Sequence, residues 1–86
     1  MARLDNQRKR LLYRSAHRGM KEMDALLGGY ANERLDFMSD SELLEFESLM
    51  DESDNDLMNW ILEREQIPDN RNSVILRKII DYKKTY

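Results

Sequence analysis

The sequence has no cysteine, one histidine, one proline and three glycines among its 86 residues. Without cysteine the chain has no disulfide, no thiolate nucleophile and no cysteine-based zinc site. The single histidine, His17, excludes a zinc site built on two or more histidines. So few glycines and prolines do not supply the many tight turns of a β-sandwich or barrel. These absences disfavour both a metal centre and a many-stranded fold.

Long apolar runs are absent as well. No apolar run exceeds three residues, the length of Ala25-Leu26-Leu27, which falls far short of the ~20 residues that a membrane-spanning helix needs. Residues 1–20 are charged throughout and contain no apolar stretch typical of a signal peptide. We therefore expect a cytoplasmic protein without membrane insertion.

The length bounds the architecture to one small domain. A chain of 86 residues buries only about 60–65% of its unfolded surface, and residues 1–86 are expected to form a single domain. Charged residues make up 36% and hydrophobic residues 41%, a mixture typical of soluble helical proteins. The fold class predicted is all-α, a compact bundle of five short helices.

The net charge of −3 conceals a strong division along the chain. Residues 1–21 carry +6, residues 22–70 carry −13 and residues 71–86 carry +4. The acidic middle disfavours nucleic-acid binding, which needs a cationic surface. Two interpretations of the basic N-terminus remain open: it contacts an anionic partner, or it pairs with the acidic middle once the chain has folded.

Apolar residues at helical spacing predict the first two helices. The first runs from about Asp5 to His17, and Gly19 provides the break after it. The second starts around Arg18–Met20 and runs to about Leu35. Its apolar stripe consists of Met20, Met23, Leu27 and Tyr30. The pair Gly28-Gly29 inside this helix favours a kink or a close helix crossing.

Helix caps predict the remaining three helices. Ser39 and Glu42 form a capping-box pattern at the start of the third. Ser53 or Asp54 is expected to cap the fourth, which should end near Glu65. The last is expected to be capped by Asp69 or Asn70. Acidic residues 51–56 do not match the calcium-binding loop of an EF-hand, so capping explains them better.

Catalytic motifs are missing. The chain has no glycine-rich phosphate loop, no nucleophile elbow and no metal-ligand spacing. His17 with Glu22 or Asp24 could form an acid–base pair, but a lone histidine beside a glycine break is more often a surface residue at a helix end. We therefore expect no catalytic residue and no metal ligand.

The segment from Arg14 to Asp24 gathers charged residues of both signs around Gly19. In a helix that opens at Arg18, Glu22 would lie one turn later and share its face. Glycine would also let another backbone approach closely. Residue chemistry alone leaves two interpretations: an exposed ion pair at a helix start, or a binding surface.

Two sequence blocks resemble the succinate dehydrogenase flavinylation-factor family, also called SdhE or FAD assembly factors. Arg18-Gly19-Met20-Lys21-Glu22 fits the RGxxE motif, and the block from Arg14 to Asp24 is similar to the longer R-x-x-x-R-G-x-x-E-[LM]-D signature. The block from Asp54 to Ile61 resembles D-x-D-L-x-x-W-[IL], with Asn55 where many members have proline. The resemblance covers roughly residues 8–65.

The resemblance implies a five-helix assembly factor that is not itself an enzyme. Such factors bind the flavoprotein subunit of succinate dehydrogenase, in some cases of fumarate reductase, and promote covalent FAD attachment that is autocatalytic in that subunit. The factor holds no cofactor stably, because FAD belongs to the client protein, and a monomer is expected. Motif residues Arg18, Gly19 and Glu22 are then expected to contact the client, together with their neighbours His17, Lys21 and Asp24.

Two alternatives from other classes stay open at this point. One is a small helical nucleic-acid-binding regulator that uses the basic first helix. The other is a generic helical adaptor between proteins.

Overall fold

The structure is a computed structural model that describes residues 5–85. The helices in that range are α1 (Asn6–Ala16), α2 (Lys21–Arg34), α3 (Asp40–Met50), α4 (Asp54–Ile61) and α5 (Val74–Thr85), with 3-10 turns at Leu35–Phe37 and Asp69–Arg71. The expected all-α bundle of five short helices is confirmed for these residues, which include no strand. None of these helices combines the length and the apolar character that crossing a bilayer would require.

Every helix contributes apolar side chains to one core. The fully enclosed ones are Leu27, Phe46, Leu57, Ile75, Leu76 and Ile79. Within α5, Ile79 follows Leu76 by three positions and Ile75 by four, as the helical spacing predicts. Burying one such side chain contributes about 1.5–3 kcal/mol, so packing of these helix faces supplies most of the favourable free energy of folding. Trp60 of α4 is also buried in this core.

The capping box at the start of α3 forms as predicted. The Glu42 amide donates to Ser39 Oγ at 3.2 Å, and the Ser39 amide donates to Glu42 Oε1 at 3.1 Å. At the start of α4 the Asp56 amide donates to Ser53 Oγ at 3.1 Å, which identifies Ser53 as the cap. Both serines satisfy amides that a helix leaves without an internal partner.

Helices α1 and α2 cross closely at Gly28. A Cβ atom at Gly28 would lie 3.0 Å from Ala16 Cβ and 3.1 Å from Ala16 Cα. At Gly29 a Cβ would lie 3.1 Å from the hydroxyl oxygen of Tyr82 on α5. Gly28 therefore permits the close crossing of α1 and α2, which is one of the two interpretations favoured by the sequence, and Gly29 leaves room for the Tyr82 hydroxyl.

The start of α2 differs from the prediction. Gly19 has a φ of +102°, a conformation that no helix accommodates and that suits glycine, so α2 begins only at Lys21. Met20 precedes the helix as an extended cap residue and is exposed rather than part of the apolar stripe. The other three members of that stripe, Met23, Leu27 and Tyr30, are buried.

Helix α4 ends four residues earlier than predicted, at Ile61 rather than Glu65. Glu63 has a φ of +58°, and the amides of Glu63 and Arg64 donate back to the carbonyls of Trp60 and Asn59. This is a Schellman closure with glutamate at the position that glycine usually occupies. The sequence therefore lacks the usual signal for the end of α4.

Helix α5 begins at Val74, later than a cap at Asp69 or Asn70 predicts. Asp69–Arg71 forms a separate 3-10 turn, and the Leu76 amide donates to Ser73 Oγ at 3.1 Å. The Ile75 amide donates to Glu45 Oε1 of α3, also at 3.1 Å. Ser73 and a carboxylate from another helix therefore cap α5 together.

We predict that Gly28→Val lowers the free energy of unfolding by about 1–3 kcal/mol, because the added side chain overpacks the contact with Ala16. Ala25→Val on the exposed side of the same helix is the control, and its cost should stay below about 0.7 kcal/mol. Urea denaturation followed by circular dichroism measures both. Equal stability of the two variants would show that the crossing tolerates a larger residue.

The pKa of the Glu42 carboxyl lies below its usual value, because the Lys78 side chain donates to it at 2.9 Å and the Ser39 amide donates as well. A lowered folded-state pKa adds stability above the unfolded-state value of about 4.3, and this contribution disappears as the pH falls through the folded-state pKa. We predict that Glu42→Gln destabilises the protein more at pH 7 than at pH 3. Glu47→Gln on the same helix is the control, and equal destabilisation by Glu42→Gln at both pH values would contradict the prediction.

Candidate functional site

Arg18 lies in the loop between α1 and α2, with its side chain directed inward and only 10% exposed. Its Nε donates to Asp54 Oδ1 at 2.6 Å. Its Nη1 donates to the Met50 carbonyl at 2.7 Å, and Nη2 donates to the Glu52 carbonyl at 2.5 Å. All three guanidinium nitrogens therefore bind the turn that joins α3 to α4. We call this set of contacts the Arg18 clamp.

The Arg18 clamp excludes one of the two interpretations of this segment, the exposed ion pair between Arg18 and Glu22. Arg18 precedes α2, and its charge is paired with Asp54 instead. The physical reason is the environment at the turn: carbonyls at the end of α3 and a carboxylate in the first turn of α4 form a negative, partly buried site. The exposed Glu22 would offer Arg18 a single carboxylate in water, and such a surface ion pair contributes little to the free energy of folding.

The acidic turn between α3 and α4 also binds two further arginines. Arg14 pairs with Asp51 at 2.7 Å, and Arg71 pairs with Glu52 at 3.1 Å. Of the two interpretations of the basic N-terminus, pairing with the acidic middle is therefore confirmed for Arg14 and Arg18. These cations are already neutralised within the fold, which weakens the case for a nucleic-acid surface on α1.

Asp24 supports the loop from the other side. Its Oδ1 accepts a hydrogen bond from the Arg18 backbone amide at 2.5 Å, and the residue is partly buried. A side chain of α2 therefore holds the Arg18 backbone, and the α3–α4 turn holds the Arg18 side chain. Of the six residues predicted to contact a partner, Arg18 and Asp24 act mainly within the protein.

The other four predicted residues are exposed together with Met20. We call His17, Gly19, Met20, Lys21 and Glu22 the motif surface. Among residues 5–85, neither Lys21 nor Glu22 has an ion pair or a side-chain hydrogen bond. A Cβ at Gly19 would meet no atom within 4 Å, so the space above the loop is open. The motif surface therefore presents free charges of both signs.

His17 is ordered by its own helix. Its ring stacks on Tyr13, with centroids 4.0 Å apart and an interplanar angle of 16°. Its Nδ1 lies 2.9 Å from the Tyr13 carbonyl oxygen, and because a carbonyl only accepts, this contact places the proton on Nδ1. In the described part of the chain His17 has no hydrogen bond to Glu22 or Asp24, so the arrangement does not form an acid–base pair.

The chemistry that this arrangement offers is recognition. Over residues 5–85, no three histidine or carboxylate side chains converge to hold a metal ion. The loop instead presents fixed backbone, a free carboxylate and a free ammonium, which suit a polar protein interface. The sequence interpretation missed that Asp54 is the partner of Arg18. The signal was present in the co-occurrence of the two motif blocks, which the Arg18 clamp joins in space.

Comparison with known proteins identifies the same family that the two sequence blocks resemble. The family model described as the flavinator of succinate dehydrogenase matches residues 9–83. The chain is 33% identical over 79 residues to "Succinate dehydrogenase assembly factor 2, mitochondrial" of Dictyostelium discoideum, covering 92% of this chain and 56% of that protein. It is 37% identical over 83 residues to the Candida glabrata protein of the same name, covering 92% of this chain and 54% of that one. The chain thus spans about half the length of these two relatives.

A bacterial relative is similar over most of its length. The "FAD assembly factor SdhE" of Acetobacter pasteurianus is 32% identical over 75 residues, which cover 87% of this chain and 69% of that protein.

We predict that Arg18→Ala lowers the free energy of unfolding by about 2–4 kcal/mol, because it leaves Asp54 and two carbonyls without their donor. The matched control is Arg14→Ala, whose ion pair is exposed on both sides and should cost less than about 1 kcal/mol. Arg18→Lys should recover only part of the loss, since an ammonium cannot reproduce the planar fork. Urea denaturation measures all three, and an equal effect of Arg18→Ala and Arg14→Ala would contradict the Arg18 clamp.

Proposed function

Because the chain belongs to the succinate dehydrogenase flavinator family, we propose that it is an assembly factor for the flavoprotein subunit of succinate dehydrogenase. In this role it binds the immature subunit and promotes covalent attachment of FAD. The names of the relatives, succinate dehydrogenase assembly factor and FAD assembly factor, support this proposal. The flavoprotein of fumarate reductase is a second client of the same kind.

The proposed mechanism is positional rather than enzymatic. The reacting histidine and the flavin belong to the client, and this chain supplies a rigid surface that holds the client in the competent geometry. Holding reacting groups in place removes a large entropic part of a barrier without any chemical group from the helper. On this view the factor acts as a monomer, binds no FAD of its own and needs no catalytic residue.

The observation that carries the proposal is the different environment of Arg18 and Glu22, the two charged residues that define the RGxxE motif. Arg18 forms the Arg18 clamp. Glu22, in the first turn of α2, is exposed and has no ion pair or side-chain hydrogen bond within residues 5–85. The one contribution to folding that is evident for this carboxylate is its charge in the first turn of α2, which is worth about 0.3–1 kcal/mol. Its place in the motif surface is explained if a basic group of the client binds it.

The compartment follows from the client. The flavoprotein matures in the bacterial cytoplasm or in the mitochondrial matrix, and the named relatives include both a bacterial protein and mitochondrial ones. We place this chain in whichever of the two compartments holds its client.

We predict that Glu22→Ala folds with a loss of less than about 1 kcal/mol in stability but lowers covalent flavin on the client at least tenfold, because the carboxylate acts at the interface and not in the core. In-gel flavin fluorescence of the client subunit, in cells carrying only the variant, measures the attached FAD. Glu65→Ala removes another exposed carboxylate with the same charge change and should leave the flavin signal at the wild-type level. Normal flavin fluorescence with Glu22→Ala would remove Glu22 from the proposed interface.

A further inference from the structure

An apolar groove lies beside the motif surface, between α2, α4 and α5. It encloses about 290 Å³. Its apolar lining consists of Met23, Ala25, Leu26, Met58, Ile61 and Leu62. Met23, Leu26 and Ile61 are buried and belong to the core, whereas Ala25 is exposed. The groove thus lies directly over the hydrophobic core, with Ala25 at its exposed side.

Two charged residues of opposite sign complete the lining, Glu22 from α2 and Lys83 from α5. Both are exposed, and within residues 5–85 neither forms an ion pair or a side-chain hydrogen bond. The other two lysines of α5 are engaged: Lys78 pairs with Glu42 at 2.9 Å and Lys84 pairs with Glu63 at 3.1 Å. Glu22 and Lys83 therefore present two unpaired charges of opposite sign at the groove.

The size and lining of the groove indicate its class of occupant. Small-molecule and cofactor sites usually enclose about 300–1,000 Å³, so this groove is at the lower limit and is small for a dinucleotide. Unbranched, polarizable methionine side chains adapt to irregular apolar shapes, and Met23 and Met58 supply two of them. An apolar centre flanked by one carboxylate and one ammonium matches the usual anatomy of a protein interface.

We propose that this groove receives an apolar side chain from the flavoprotein client, with a basic client residue facing Glu22 and an acidic one facing Lys83. The proposal rests on the proposed function and extends the client interface beyond the RGxxE motif to Met58, Leu62 and Lys83. Glu22 then belongs to both surfaces, which explains a free carboxylate at the edge of an apolar opening. Charge complementarity sets the orientation of the segment, and apolar burial supplies the affinity.

The test uses the apo form of the flavoprotein subunit of succinate dehydrogenase from the same source as the binding partner. Ala25→Trp fills the groove from an exposed position and should weaken binding about tenfold or more. Asn32→Trp, two turns further along α2 and also exposed, is the matched control and should leave the dissociation constant within about twofold. Urea denaturation verifies that both variants fold.

The charge component is tested by Lys83→Glu, which should weaken binding about three- to tenfold, with a smaller effect at high salt. Lys9→Glu makes the same charge change on α1, outside the groove, and should have little effect. Equal losses from Lys83→Glu and Lys9→Glu would indicate only a general response to net charge and would overturn the role of Lys83.

Methyl-labelled methionine provides a direct view of the groove by nuclear magnetic resonance. On addition of the client, the methyl signals of Met23 and Met58 should shift or broaden, while that of Met38, buried in another part of the core, should not. A client that binds the wild-type chain, shifts Met20 and leaves Met58 unmoved would overturn the groove proposal and leave the proposed function intact. A client that does not bind the wild-type chain at all would overturn both.

Discussion

The Arg18 clamp connects the two parts of the chain on which the candidate interface depends. One side chain from the α1–α2 loop donates to the Met50 and Glu52 carbonyls and to the Asp54 carboxylate. These acceptors lie where the negative end of α3 meets the first turn of α4, so the cation is held by fixed dipoles as well as by a charge. Removing the Arg18 side chain would detach the loop from the α3–α4 turn, so the orientation of the motif surface depends on this clamp together with the hydrogen bond from the Arg18 amide to Asp24.

A second arginine acts in the same way at another turn. Arg8 of α1 donates to the Leu35 carbonyl at 3.0 Å and to the Met38 carbonyl at 2.8 Å. A small domain without cysteine has neither disulfides nor a large core to fix its connections. Arginine is suited to this task, because its planar group carries several donors and satisfies more than one carbonyl at once. Much of the basic charge at the N-terminus is therefore structural.

The division between internal and exposed motif residues agrees with a factor that assists a reaction carried out by its client. The largely buried Arg18 side chain fixes the loop, and the exposed residues around Gly19 and Glu22 leave a surface outside the core. The apolar groove next to Glu22 gives this surface a hydrophobic centre, which charged residues alone do not provide. In the proposed complex, recognition of the client would combine a polar loop of fixed shape with an adaptable apolar groove.

Local signals in the sequence determined the five helices, the Ser39 capping box and the glycine break after α1, because each depends on residues within one turn of each other. The two motif blocks also determined the family. Only the tertiary structure decided where Arg18 points, since its partner Asp54 is 36 residues away and competes with the nearer Glu22. It likewise decided that α4 ends at Ile61, with Glu63 instead of a glycine in the positive-φ conformation that follows, and that Glu22 borders an apolar groove. Such outcomes depend on which helices pack together, and periodicity within a single helix does not contain that information.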